Sequence, residues 1–264
     1  MNVQAIQAID VHAHYGRMIR GREPFDGWLS GDEKVVARRA RAANVEWTIV
    51  SPLESLMPRG YADAFRGNES AAKAVADTDG LLQWVVVNPL QPSTYAQAER
   101  MLKDSKKCVG IKIHPEEHLY PIKKHGRALF EFFAQQRAIV LTHSGEGNSW
   151  PEDFIPFADD FPEVKLILAH IGCSADIDMT HQVRAVQMSK RGNVYTDTSS
   201  QQSTLTGIIE WAARELGPER ILFGTDTPLY STGSQRARID HAEMSDAAKQ
   251  LILRDNAVKL FNLH

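Results

Sequence analysis

The chain has 264 residues, 43% of them hydrophobic and 24% charged, with a formal net charge of −3. That length supports one large α/β domain with a full core, or two small ones, and the slightly acidic balance excludes a nucleic-acid role driven by a basic surface. The two cysteines, Cys108 and Cys173, are too few for a disulfide framework and point to a reducing cytoplasm. No charged and then apolar leader opens the sequence, and no apolar run approaches the length of a bilayer span, so neither a secretory signal nor a membrane partner is expected.

A first strand over residues 5–12 leads into Asp10-Val11-His12-Ala13-His14. Residues two apart on a strand share a face, so His12 and His14 point the same way at the strand end, with Asp10 on that face one pleat below. Two imidazoles placed like this can bind one metal ion, zinc foremost, with iron, copper or nickel also suited. Asp10 is placed to brace a ligand from beneath as a hydrogen-bond acceptor. By itself such a pair also fits an ordinary surface. The loop over 15–31 is long for a compact domain, a feature that often marks function. Its Arg17, Arg20 and Arg22 fit either an anionic substrate or plain surface charge.

The remaining elements alternate. Helices are predicted over 32–43, 61–76, 93–102, 121–135, 152–161, 177–190, 204–216 and from 245 to the end. Pro156 predicts a break in the fifth of these. Strands are predicted over 46–50, 82–87, 109–113, 138–142, 165–169, 193–196 and 220–223. Eight short, nearly continuous apolar strands, each followed by a helical stretch, are the pattern of a (β/α)₈ TIM barrel. An open doubly wound sheet is the rival, but no Gly-x-Gly-x-x-Gly follows any strand. No linker divides the chain, so one domain over 1–264 is expected.

Position makes the histidines informative. His114 follows strand four, His143 strand five, His170 strand six and Asp226 strand eight. In a barrel of this kind the C-terminal strand ends form the active-site face. Asp197, ending strand seven, has a weaker claim. Alternation puts Ile111 and Ile113 outside and Lys112 and His114 inside, where an unpaired lysine is costly. It also puts Leu166, Leu168 and His170 on one face of strand six, and Leu222, Gly224 and Asp226 on the inner face of strand eight.

Asp10-Val11-His12-Ala13-His14, Gly110-Ile111-Lys112-Ile113-His114-Pro115, Leu141-Thr142-His143-Ser144-Gly145, Ala169-His170-Ile171-Gly172 and Phe223-Gly224-Thr225-Asp226 together resemble the amidohydrolase superfamily. They are most similar to its amidohydrolase-2 branch, which includes aminocarboxymuconate-semialdehyde decarboxylase. Asp255-Asn256-Ala257 with Leu260-Phe261 resembles the closing helix of that group. The resemblance implies a divalent metal, usually zinc, held by His12, His14, His143 and Asp226, with water in an open position. His170 would hydrogen-bond that water or polarise the substrate, and Asp226 would accept or orient a proton. Lys112 stands where some branches carry a carboxylated lysine bridging two metals, and where this branch often carries a lysine without that role. His114 fits substrate contact or loop packing equally. The activity expected is metal-dependent hydrolysis of a small amide, ester or lactone, with non-oxidative decarboxylation of an aromatic or unsaturated acid as the alternative. Self-association is left open.

Overall fold

The computed structural model describes residues 2–263. Eight parallel strands run in the order of the sequence: β1 (Ala8–Tyr15), β2 (Val45–Pro52), β3 (Leu81–Val86), β4 (Cys108–Ile113), β5 (Ile139–Thr142), β6 (Lys165–Leu168), β7 (Val194–Asp197) and β8 (Ile221–Leu222). The ring closes where β1 meets the segment after β8. Val11 N–H donates to Phe223 O (2.9 Å), Asp226 N–H to His12 O (2.7 Å) and His14 N–H to Thr227 O (2.6 Å). The result is a nearly closed (β/α)₈ barrel, as the strand–helix alternation predicts.

Helices cover the outside. They are α1 (Phe25–Trp28), α2 (Glu33–Ala42), α3 (Ala64–Ala76), α4 (Ser93–Asp104), α5 (Ile122–Gln135), α6 (Pro151–Asp160), α7 (His181–Met188), α8 (Ile208–Leu216), α9 (Thr232–Asp240), α10 (Asp246–Gln250) and α11 (Asn256–Phe261). Ile111, Ile113, Val140, Leu166 and Leu168 face Phe130, Phe133 and Phe154 of the helical layer. Each fully buried Phe of this kind contributes about 2–3 kcal/mol of hydrophobic free energy. Inside the barrel, Ile9, Val11, Ile49, Trp84, Leu141 and Ile167 fill the lower layers, and Phe261 of α11 closes on Trp84 from below.

Where the elements depart from expectation, local chemistry accounts for it. α3 starts at Ala64 and not at Tyr61, because the Asp63 side chain caps it by accepting from Arg66 N–H. α7 starts at His181 because Ser174, Asp176 and Asp178 bond the backbone of the residues two ahead, which competes with the helix. Gly207, at φ +89°, sets the start of α8 at Ile208. Pro156 lies inside an unbroken α6: in its second turn the missing N–H forfeits one bond. α9 was not foreseen. Thr232-Gly-Ser-Gln-Arg-Ala-Arg-Ile-Asp has no apolar stripe, and it is held by a Ser231 cap and by buried Arg236, which donates to Ile6 O and Val3 O. The last helical stretch is two helices joined by a π-helical turn (Leu251–Asp255). Residue 264, to which it was expected to run, lies outside the described residues. Among the described residues, no helix is long and apolar enough to cross a membrane.

Two strand faces also differ. The register of β1 slips between Asp10 and Ala13. Ile9 and Val11 face the interior, and after the slip Ala13 turns outward while His12 and His14 face in. Asp10 is therefore out of phase with the histidines it was expected to accompany. On β6, Leu166 and Leu168 face the helices, while Ile167 and Ala169 face inward. His170 reaches the site through the turn that follows, where its φ is +74°.

Candidate metal centre

His12, His14, Asp226, His143 and His170 meet at the C-terminal rim of the barrel. His12 is fully buried and His14 nearly so. One ligand atom from each of His12, His14 and Asp226 lies within 4.8 Å of the others. The Nε2 of His14 is 3.2 Å from Asp226 Oδ1, and that of His12 is 3.6 Å from the same oxygen. Asp226 is turned toward them by a left-handed backbone (φ +55°), and Gly224 lets it approach: a Cβ there would stand 3.1 Å from the His12 and Ser199 Cβ atoms.

Hydrogen-bond accounting assigns the protons. His14 Nδ1 lies 2.9 Å from Ser51 Oγ and 3.1 Å from Ser51 O; the carbonyl can only accept, so a hydrogen on Nδ1 satisfies it and leaves Nε2 bare. His12 Nδ1 donates to Asp197 Oδ2 at 2.9 Å, leaving its Nε2 bare as well. Ser199 Oγ–H donates to Asp197 Oδ1 and accepts from His170 Nδ1–H at 2.8 Å. The free Nε2 of His170 then accepts from His143 Nδ1–H at 3.1 Å. With Nδ1 so used, the buried Nε2 of His143 has no hydrogen-bond partner within 3.5 Å, and the nearest polar group to it is the Glu146 carboxylate at 3.6 Å. Burial holds His12 and His170 well below the usual histidine range, which keeps both rings neutral and this tautomer chain intact. Bare imidazole nitrogens converging on a carboxylate oxygen are all acceptors, and a cation is what such a set fits. The donor set therefore fits a divalent ion held by His12, His14 and Asp226, with the Nε2 of His143 on the same rim.

Lys112 complicates that picture. It is fully buried, and its Nζ lies 3.0 Å from His12 Nε2, so it donates to the lone pair a metal would take. Burial lowers its ammonium to about 8, against the pull of Asp226 and Asp197. His114 stacks on His143 with ring centroids 4.3 Å apart and accepts the Glu117 N–H through Nδ1. Asp10 touches neither ring of the pair. It accepts from His12 N–H and Thr225 N–H at 3.1 Å and from Thr225 Oγ1 at 2.5 Å, and so ties the two ligand-bearing segments together through the main chain. Burial pushes the Asp10 carboxyl up to about 8, against those three donors.

Sequence reasoning undervalued Asp197. It accepts from His12 Nδ1, His170 N–H, Ser199 N–H and Ser199 Oγ–H. The second group of potential ligands, His12, His170 and Asp197, is thus a hydrogen-bonded support. Ser199 and Ser51 carried no motif. The one signal for Ser199 was its place two residues past the end of strand seven. Above the cluster, a cleft of about 790 Å³ opens to solvent, lined by His14, His114, His143, His170 and Asp226. Cys173 also lines it, and burial pushes that thiol up to about 11, so it packs as a neutral side chain.

A barrel with a histidine–carboxylate cluster at this rim is the framework of a superfamily of enzymes. The chain belongs to the amidohydrolase-2 family, whose model (Amidohydrolase) matches residues 9–263. The fold is similar to that of 2,6-dihydroxybenzoate decarboxylase from Rhizobium, with a TM-score of 0.75 and 17% identity over 97% of this chain and 98% of that one. It is similar to dihydroxybenzoic acid decarboxylase from Polaromonas sp. JS666, a structure with bound manganese and 2-nitroresorcinol (TM-score 0.74, 18% identity, 97% of each chain). It is also similar to 5-carboxyvanillate decarboxylase from Sphingomonas paucimobilis (TM-score 0.73, 15% identity, 98% of this chain and 100% of that one). The protein is an enzyme of the amidohydrolase superfamily, and its structural neighbours are largely decarboxylases.

Proposed function

We propose that the protein is a metal-dependent decarboxylase of a small aromatic or unsaturated carboxylic acid. The observation that carries this is the convergence of His12 Nε2, His14 Nε2 and Asp226 Oδ1 below an open cleft, with the buried Nε2 of His143 on the same rim. Hydrolysis of an amide, ester or lactone was the first expectation. The named activities of the structural neighbours favour the alternative, decarboxylation.

In this reading His12, His14, His143 and Asp226 hold one divalent ion. Three imidazoles and a carboxylate suit zinc, while manganese is the ion in the Polaromonas neighbour. The ion supplies Lewis acidity and a fixed positive charge for the substrate's oxygens. The chain's own residues do the rest. Decarboxylation breaks one C–C bond, carbon dioxide leaves, and the electron pair left on carbon takes up one proton. Asp226, at the cleft floor, takes a proton from the substrate's acidic hydroxyl or from solvent and passes it to that carbon, returning to the carboxylate. His170, neutral and fixed by Ser199, faces the same cleft and orients the substrate. Lys112, whose Nζ lies 3.0 Å from His12 Nε2, would have to give up that bond for the nitrogen to hold an ion, and one ion needs no bridging lysine.

The test is a panel of hydroxybenzoates, unsaturated acids, amides, esters and lactones with the metal-loaded protein, read by product mass. Loss of carbon dioxide supports the reading. Gain of water, with no decarboxylation, returns it to hydrolysis. Elemental analysis of the purified protein distinguishes zinc from manganese.

A further inference from the structure

A second hollow lies against the segment that joins β8 to α9. It is a groove of about 870 Å³ bordered by the end of α2, by Trp28 and by the start of α9. Leu229 and Tyr230 line both this groove and the cleft above the metal-side residues, so one stretch of chain divides the two. That stretch begins at Asp226, whose carbonyl accepts the Leu229 N–H at 3.0 Å.

The groove is rich in donors that lack acceptors. Ser231 caps α9 by accepting the Ser234 N–H. The N–H groups of Thr232 and Gly233 come before the first intrahelical bond and, among the described residues, have no acceptor. An added Cβ at Gly233 would meet only Ser231 Oγ, 4.0 Å away, so the backbone there is open to a ligand. Thr232 lines the groove, is 2% exposed, and its buried hydroxyl has no hydrogen-bond partner. A buried hydroxyl left unpaired costs free energy that an arriving acceptor recovers.

Charge points the same way. Arg39 of α2 lines the groove, is exposed, and among the described residues has no carboxylate or carbonyl partner for its side chain. The arginines of the cleft differ, since Arg20 and Arg59 are both bound to Glu117. No acidic side chain is among the described residues that line the groove. The carbonyls of Ala43 and Asn44, just past the end of α2, are taken by Arg236 Nη1 at 3.4 and 3.1 Å, so they do not oppose an anion. Trp28, 67% exposed and edge-on to Phe25, supplies apolar surface beside these donors.

We propose that this groove binds a small organic oxyanion, with its anionic group at Arg39 and at the Thr232 and Gly233 N–H groups, and its apolar body toward Trp28 and Leu229. The site is separate from the metal centre and independent of the reaction performed there.

The test is calorimetric titration of the full chain with phenyl phosphate, with phenol as the uncharged control. Phosphate esters also meet metal ions, so metal-loaded and chelator-treated protein are both titrated. Phenyl phosphate binds both forms, and phenol binds neither. Arg39→Gln weakens binding at least about tenfold, the scale of a charge-assisted contact, and Arg39→Lys restores part of it. Thr232→Val exchanges the hydroxyl for a methyl of like size. It weakens binding about threefold without lowering the melting temperature, because that hydroxyl has no protein partner to lose. Thermal melts verify that the Arg39 variants fold, as an exposed side chain allows. Three outcomes overturn the proposal: phenyl phosphate binding only while the ion is present, equal affinity in Arg39→Gln, or affinity lost in an Arg20→Gln/Arg59→Gln double variant and not in Arg39→Gln. A Thr232→Val protein that melts lower with unchanged affinity overturns the part given to the hydroxyl.

Discussion

Asp197→Asn tests the tautomer chain directly. The carboxylate accepts four hydrogen bonds and donates none. An amide in its place has one acceptor and one donor group. If its nitrogen faces His12, the ring must turn Nδ1 into an acceptor, and the hydrogen moves to Nε2, the atom assigned to the metal. If its oxygen faces His12, the nitrogen confronts the N–H groups of His170 and Ser199 and the Ser199 hydroxyl. Either arrangement leaves buried donors unmet at about 1–3 kcal/mol. Losing the group that orients a ligand histidine costs about 10- to 100-fold in metal affinity, or about 1.4–2.8 kcal/mol. Competition against a chromophoric chelator measures that affinity, and a melt of the metal-free protein measures the stability term. A variant that binds metal within twofold of wild type and melts at the same temperature would refute the proton assignment on which the metal site rests.

Other outcomes follow from the same geometry. His12→Ala and His143→Ala lose metal and turnover together, whereas His170→Ala keeps its metal by elemental analysis and loses turnover; a metal-free His170→Ala would make that ring a ligand. Asp226→Asn loses about 10²- to 10⁴-fold in kcat, the usual span for a proton-transfer group, and full activity in that variant would remove Asp226 from the reaction. In the metal-free protein, burial holds His12, His114, His118 and His170 below the ordinary value of 6.5. The unfolded chain therefore binds more protons below that pH, and stability falls as pH drops. Asp10, raised to about 8, opposes this with one proton. The net of three protons from these five groups gives at most about 4 kcal/mol per pH unit between about pH 5 and 6, and the lowered carboxyls of Glu69, Glu146 and Glu210 add to the fall below about pH 5. Denaturant melts across that window measure it, and a flat profile would mean that these rings are not buried neutral.

Much of the architecture was legible because a βα repeat is local. Apolar strands buried on both faces, helix caps such as Asp32 and Asp63, and the polar residue closing each strand all leave marks within a few positions. Strand counting placed His12, His14, His143, His170 and Asp226 on one rim before any contact was known. What stayed hidden lacked a local mark. α9 has no apolar stripe. Side-chain phase along β1 and β6 depended on a register slip and on the left-handed turn at His170, which the period of a strand does not encode.

Hydrophobic period and chain order dictate the ring of strands and the kinds of side chain on its rim. How those side chains share protons and charge depends on contacts between segments far apart along the chain. Asp197 and Ser199 meet His12 from 185 and 187 residues away, and Lys112 meets it from 100. Glu117 draws in Arg59 and Arg20 from 58 and 97 residues away. Hydrogen bonds act over about 3 Å in space, and distance along the chain carries no trace of them.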